Sequence, residues 1–243
     1  MLLKTTRMRT LPWLAALVWF ALANVAFADP ALSPHVAEYK IKISVLGGKL
    51  RTQLQETENG YRADSSIRAT GISRLIARGA IQENSLFTES PQGLRPEVFQ
   101  SDDTLSRGGE TVDFIFDWER REITGTLNGA EFQTGIDGVV HDRVSLQYAL
   151  MHDLLNGIHR NSYLLQDAEK LKPLSVTNIG SKQIKVPFGK FEAIGIQHRS
   201  EGSSRVTTLW CVEELGYLPV IIEQHRKGKL QVRAMLTNYT PQD

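Results

Sequence analysis

Residues 205–238 carry the clearest pattern in the chain, three stretches in which side chains alternate in character. Val206, Thr208, Trp210 and Val212 alternate with Thr207, Leu209 and Cys211. Leu218, Val220 and Ile222 alternate with Pro219, Ile221 and Glu223, and Leu230, Val232, Ala234 and Leu236 with Lys229, Gln231, Arg233 and Met235. A period of two sends successive side chains to opposite faces of a strand, so these stretches predict an antiparallel meander with one face buried.

The rest of the chain extends the meander. Tyr39, Ile41, Ile43 and Val45 alternate with Lys40, Lys42 and Ser44 before the turn pair Gly47-Gly48, and Asn59-Gly60 is a strong hairpin signal between residues 49–58 and 61–69. Residues 80–88 and 94–101 flank a turn at 90–93, with Pro96 predicting an edge position. Beyond a polar loop at 102–110, Val112, Phe114 and Phe116 share a face, and Asn128-Gly129 joins two further strands. Residues 159–165, 174–179, 183–186 and 191–199 complete the set.

Two segments change period. Ile72, Leu75 and Ile76 fall at i, i+3 and i+4, the spacing of a short helix that either closes one end of the sheet or forms a flap over an apolar interior. In residues 142–156, Val144, Tyr148, Met151 and Leu155 form a stripe widened by Leu150 and Leu154. Asp142 suits the start of this helix and Gly157 its end. The expected fold is mainly β: a large antiparallel curved sheet or open barrel of eleven to thirteen strands, with one main helix and one short helix.

The N-terminus sets the compartment. Lys4, Arg7 and Arg9 precede the apolar residues 13–23 and the small-residue site Ala26-Phe27-Ala28, the layout of a secretory signal peptide cleaved after Ala28. The apolar run is too short for a bilayer span of about 20 residues. Residues 29–243 are then expected to be a single periplasmic β domain with no transmembrane span. The whole chain has 28 Lys and Arg against 27 Asp and Glu, and removing the leader with its three cations leaves a net charge of about −2. That balance carries no footprint for nucleic acid. Cys211 is the single cysteine, which excludes an intramolecular disulfide and reads as a small core residue.

Catalytic and metal signatures do not emerge. The HExxH, GxSxG, GxxxxGK[ST] and GxGxxG patterns are absent. Asp113, Asp117, Glu119 and Glu122 cluster at a hairpin tip, where acids are usually solvated. Trp118, in the turn beside them, is expected to be more exposed than Trp210, with an anchor for a partner as one alternative role. The expectation is a protein that is not an enzyme and has no cofactor.

Six segments together resemble a known family: YKIKISVLGGK (39–49), ATGIS (69–73), VDFIFDW (112–118), DRVSLQY (142–148), VPFGKF (186–191) and LWCVEELGYLP (209–219). The resemblance is to DUF3108, a family of exported bacterial proteins of unknown function, and it runs in order over nearly the whole mature chain. It implies no catalytic residue to carry over. In architecture the reading is also similar to periplasmic lipoprotein carriers, whose open barrels hold acyl chains under a helical lid. Two functions follow as expectations. One is a module binding a lipid or other hydrophobic small molecule, with Ile72, Leu75, Ile76, Phe114, Phe116, Tyr148, Met151 and Trp210 as its binding residues. The other is a non-catalytic envelope assembly or scaffold protein acting on an envelope protein partner. An outer-membrane barrel fits less well, because helical segments interrupt the strands.

Overall fold

Alternating segments joined by short turns pair with their neighbours, and the chain does this from end to end. β1 (His35–Ile43), β2 (Leu46–Thr57), β3 (Gly60–Ala69), β4 (Ala80–Ser90), β5 (Gly93–Asp103), β6 (Glu110–Asp117), β7 (Glu122–Leu127) and β8 (Ala130–Gly135) follow as hydrogen-bonded neighbours. After β9 (Val140–His141) and α1 (Ser145–Leu155) come β10 (Ser162–Asp167), β11 (Lys170–Val186), β12 (Gly189–Ser200), β13 (Arg205–Val212), β14 (Leu218–Arg226) and β15 (Lys229–Pro241). β15 pairs with β1, so the first and last strands meet inside one fifteen-stranded sheet. Every pairing is antiparallel except β9 with β10. This is a computed structural model describing residues 31–242, and the export signal read from the sequence lies outside them.

The sheet is mainly β as expected but is not closed: its edges are β8 and β9. Only residues 136–139 separate those edges in sequence. An extended chain covers at most ~3.6 Å per residue, so the edges stand within roughly 18 Å of one another. The sheet must therefore wind into an open barrel.

Fifteen strands exceed the eleven to thirteen expected, since a two-residue strand such as β9 carries no periodicity. Residues 174–179 and 183–186, read as separate segments, are both part of β11, interrupted by a bulge between Asn178 and Ser181. Gly180 sits in that bulge at φ +86°, a conformation costly for other residues. Pro96 does not mark an edge: β5 lies between β4 and β6. Its missing N–H is tolerated because pairing with β6 starts only at Val98.

α1 packs against β4, β5 and β9 inside the curve. Its start is fixed by Asp142, a fully buried carboxylate that accepts the N–H groups of Val144 and Ser145, both at 2.8 Å. The same carboxylate accepts the hydroxyls of Ser145 (2.7 Å) and of Ser85 on β4 (2.6 Å). It thus caps the helix and pins it to the sheet. Burial pushes the Asp142 pKa up, and these hydrogen bonds work against that rise. Gly157 follows the helix at φ +65°, the left-handed residue expected there. The short helix is a single 3₁₀ turn, Gly71–Leu75.

Candidate functional site

α1 is packed on aromatic side chains along one side. There, Tyr148 stacks on Phe87 at 5.6 Å between ring centres, and the adjoining inner face is aromatic, with Phe99 against Phe114 at 4.9 Å. On its other side, Leu146 and Leu150 face a cleft of about 860 Å³ between the helix and strands β10–β14. That size lies in the range of small-molecule sites.

The cleft is graded from floor to rim, and strand register produces the gradient. Leu209 on β13 sits opposite Ile222 on β14, Thr207 opposite Gln224, and Arg205 opposite Arg226. All six line the cleft. A period of two puts alternate residues on one face, so one step along the pair of strands goes from apolar, through hydrogen-bonding, to cationic. Leu165 and Leu174 extend the apolar floor. His198, opposite Thr207, extends the polar layer, and burial lowers its pKa to about 4, so it is neutral at physiological pH.

The rim pairs like charges. Arg205 faces Arg226, and Arg226 faces Lys229 on the next strand, which makes three cations in one register row. Like charges directly opposite one another are destabilising by a few tenths to about 1 kcal/mol. Other rim cations are neutralised: Arg143 lies 3.1 Å from Glu83 and 3.6 Å from both Glu110 and Asp167, and Lys172 pairs with Asp167. Burial raises the pKa of Glu83, with Arg143 opposing. Arg143 thereby ties β4 and β6 to β10 across the helix start. Arg205, Arg226 and Lys229 have no ion-pair partner among the described residues.

A second polar cluster closes the other end of α1. Asp153 accepts the Tyr163 hydroxyl at 2.5 Å and the Arg160 Nε at 2.7 Å, and Arg160 also donates to the Gln92 carbonyl. Burial opposes ionisation of Asp153, yet hydrogen bonds from His152, Tyr163 and Arg160 hold its pKa below the usual value. Burial, and then Asp153, push the Tyr163 pKa up. The phenol keeps its proton and the carboxylate its charge, which makes the cluster a lock on the helix end. His141, beside it, is fully buried and lowered to about 4 by burial.

None of the eight residues expected to bind a ligand lines this cleft. Phe114, Phe116, Tyr148 and Met151 are buried in the core. Trp210 faces away from the cleft, because Leu209 faces into it; its ring lies over Gly195, its neighbour on β12, with the Lys182 ammonium of β11 3.6 Å away. Ile72, Leu75 and Ile76 are 80%, 74% and 73% exposed. Ser73 turns inward instead, accepting the Gly47 N–H at 2.9 Å, so the apolar stripe points outward. Trp118 is not a free anchor: it stacks on Phe116 and donates to the Pro96 carbonyl at 2.7 Å. Cys211 is buried, and burial pushes its thiol up to about 12. The residues that do build the cleft had one sequence signal, the runs Arg205-x-Thr207-x-Leu209 and Ile222-x-Gln224-x-Arg226, which grade in opposite directions along antiparallel strands.

Fold and cleft together define a β-barrel-like protein wound around one helix. The family model described as "Protein of unknown function (DUF3108)" matches residues 36–236, and the chain belongs to that family. A β-barrel-like protein of the domain of unknown function DUF1849 from Brucella abortus shares the fold. It has 12% sequence identity and a TM-score of 0.59, over 88% of this chain and 100% of that one. Two more distant structures also align, each over 87% of this chain and 97% of theirs. They are a candidate lipoprotein from Parabacteroides distasonis (14% identity, TM-score 0.37) and a candidate exported protein with a YmcC-like fold from Bacteroides fragilis (12%, 0.34). No curated protein matches the chain. Among the described residues, no helix is long and apolar enough to cross a membrane.

Proposed function

We propose that this protein is an exported, non-catalytic binding module that holds an amphiphile with an apolar body and an anionic head group in the 860 Å³ cleft. The observation that carries this reading is the register gradient from Leu209 and Ile222, through Thr207 and Gln224, to Arg205 and Arg226. An apolar tail on the leucine floor gains about 0.8 kcal/mol per buried CH₂, so ten methylenes supply ~8 kcal/mol, comparable to a micromolar constant before ordering costs. The head group would neutralise a rim that is otherwise self-repelling. Displacement of a fluorescent fatty acid tests this. Competition by anionic long-chain amphiphiles but not by their neutral alcohols supports it; equal competition by both removes the role of the rim.

A second reading, an envelope scaffold acting through protein contacts, draws on the exposed Ile72, Leu75 and Ile76. Crosslinking from that turn to one discrete envelope protein would favour it.

A further inference from the structure

In an antiparallel meander alternate turns lie at the same end of the sheet. The β1–β2 turn, the 3₁₀ turn Gly71–Leu75 and the β14–β15 turn therefore share one end, and the cleft opens there too, between Arg205, Arg226 and residues 168–170. Two of these turns are joined into one lip. The Thr70 N–H donates to the Gly47 carbonyl at 3.0 Å, and the Gly47 N–H donates to Ser73. The lip presents Val45 (90% exposed), Ile72, Leu75 and Ile76, four large apolar side chains with nothing packed over them among the described residues. Scattered apolar residues on a surface are ordinary, but four on one protruding unit mark an interaction site.

Cations predominate around the lip. Lys42, Arg68, Arg74, Arg78, Lys227 and Lys229 are all exposed, and none has an ion-pair partner among the described residues. Residues 65–82 and 39–55, which contain both joined turns, have no acidic residue. The nearest acids of this end are Asp102 and Asp103, opposite Gln82 and Ile81 and beside Arg68 and Gly79; Glu110, Glu131, Asp167, Glu169 and Glu201 stand at other turns of the same end. Apolar side chains that insert to shallow depth, ringed by cations, are complementary to the surface of an anionic bilayer.

We propose that the lip formed by Val45, Ile72, Leu75 and Ile76, with Lys42, Arg74 and Arg78 around it, docks this end of the barrel onto a membrane surface rich in acidic phospholipid. Docking there sets the cleft mouth against the bilayer, but the inference stands on the lip and does not require the cleft to be occupied.

The test is sedimentation of the purified full chain with vesicles of phosphatidylcholine alone or with about a third phosphatidylglycerol. A polarity-sensitive dye on Val45→Cys reports insertion at the lip itself, since Cys211 is buried. Binding to the acidic vesicles with a blue shift of the dye is expected. The triple variant Ile72→Ser, Leu75→Ser, Ile76→Ser should lower binding by about 100-fold, and Arg74→Glu with Arg78→Glu by at least 10-fold, with the salt sensitivity of wild type lost. Both variants should melt with wild type, because the replaced side chains are exposed. Arg205→Gln with Arg226→Gln should abolish displacement by anionic amphiphiles if the cleft reading holds, while leaving the dye shift within about twofold. Equal binding to neutral and acidic vesicles, an unshifted dye on bound protein, or a triple variant that binds as wild type would each overturn the docking. So would a lip that protects itself by concentration-dependent self-association, or by crosslinking to residues 11–27 of its own chain, without vesicles.

Discussion

The two arcs of the sheet meet α1 differently. On β4 and β5 the helix rests on aromatic side chains, and Tyr39, Phe87, Phe99 and Tyr148 are among the largest fully buried residues. Across β10–β14 it faces leucines, a polar row and arginines, and the surfaces stand apart by the volume of a small ligand. Large rings fill the space between a curved sheet and a helix; leucine and threonine at equivalent positions leave it open. One helix can therefore be anchored on one arc while the other arc keeps room for a guest.

Truncating the packed arc should do the most damage. Phe99→Ala is expected to cost about 4 kcal/mol. At roughly 2–4 °C per kcal/mol for a chain of this size, calorimetry should show a melting temperature lower by about 8–16 °C. A loss under about 1 kcal/mol would mean that this arc is not tightly packed.

Protonation probes both arcs at once. His141 beside the helix lock and His198 in the cleft both have pKa values lowered by burial from 6.5 to about 4. Between these values the unfolded chain takes up a proton that the folded chain does not, so stability is full above about pH 6.5 and falls as pH drops toward 4. The full effect of one such histidine is about 3 kcal/mol. Urea melts at stepped pH should show His141→Phe flattening this slope more than His198→Phe, because His141 is fully buried and His198, at the cleft, only half-buried. The reverse order would mean that the cleft is dry.

Truncation in the open arc should be milder. Leu209→Ala is expected to cost about 2 kcal/mol, the low end for a buried leucine, because part of its surround is already cleft. Smaller still, Arg226→Gln should stabilise the ligand-free protein by a few tenths of a kcal/mol by relieving the Arg205–Arg226–Lys229 row, while weakening an anionic amphiphile about 10-fold. A destabilised Arg226→Gln would show that the row is held by a contact within the protein.

Local features were legible in the sequence and long-range ones were not. Strand alternation, the Asn59-Gly60 and Asn128-Gly129 hairpins, Asp142 at the helix start and Gly157 at its end are set by neighbours within a few residues, so pattern reveals them. The burial of Trp210 depends on Gly195 opposite it on β12, which leaves the ring room to reach Ile179 and Lys182 of β11, and no spacing within 205–212 encodes that. The stripe at Ile72, Leu75 and Ile76 had the right period but the wrong direction, because Ser73 takes the inward place through a hydrogen bond to Gly47, 26 residues away. The cleft itself depends on the register of β13 against β14, and Arg143 finds its three acids on β4, β6 and β10.

The most direct measurement is native mass spectrometry, followed by organic extraction, of the protein purified gently from the cells that make it. A stoichiometric anionic amphiphile is expected on the wild type, absent after Thr207→Trp fills the polar layer of the cleft, with the melting temperature of the ligand-free protein preserved. A clean unliganded mass that persists after incubation with envelope lipids would contradict the account.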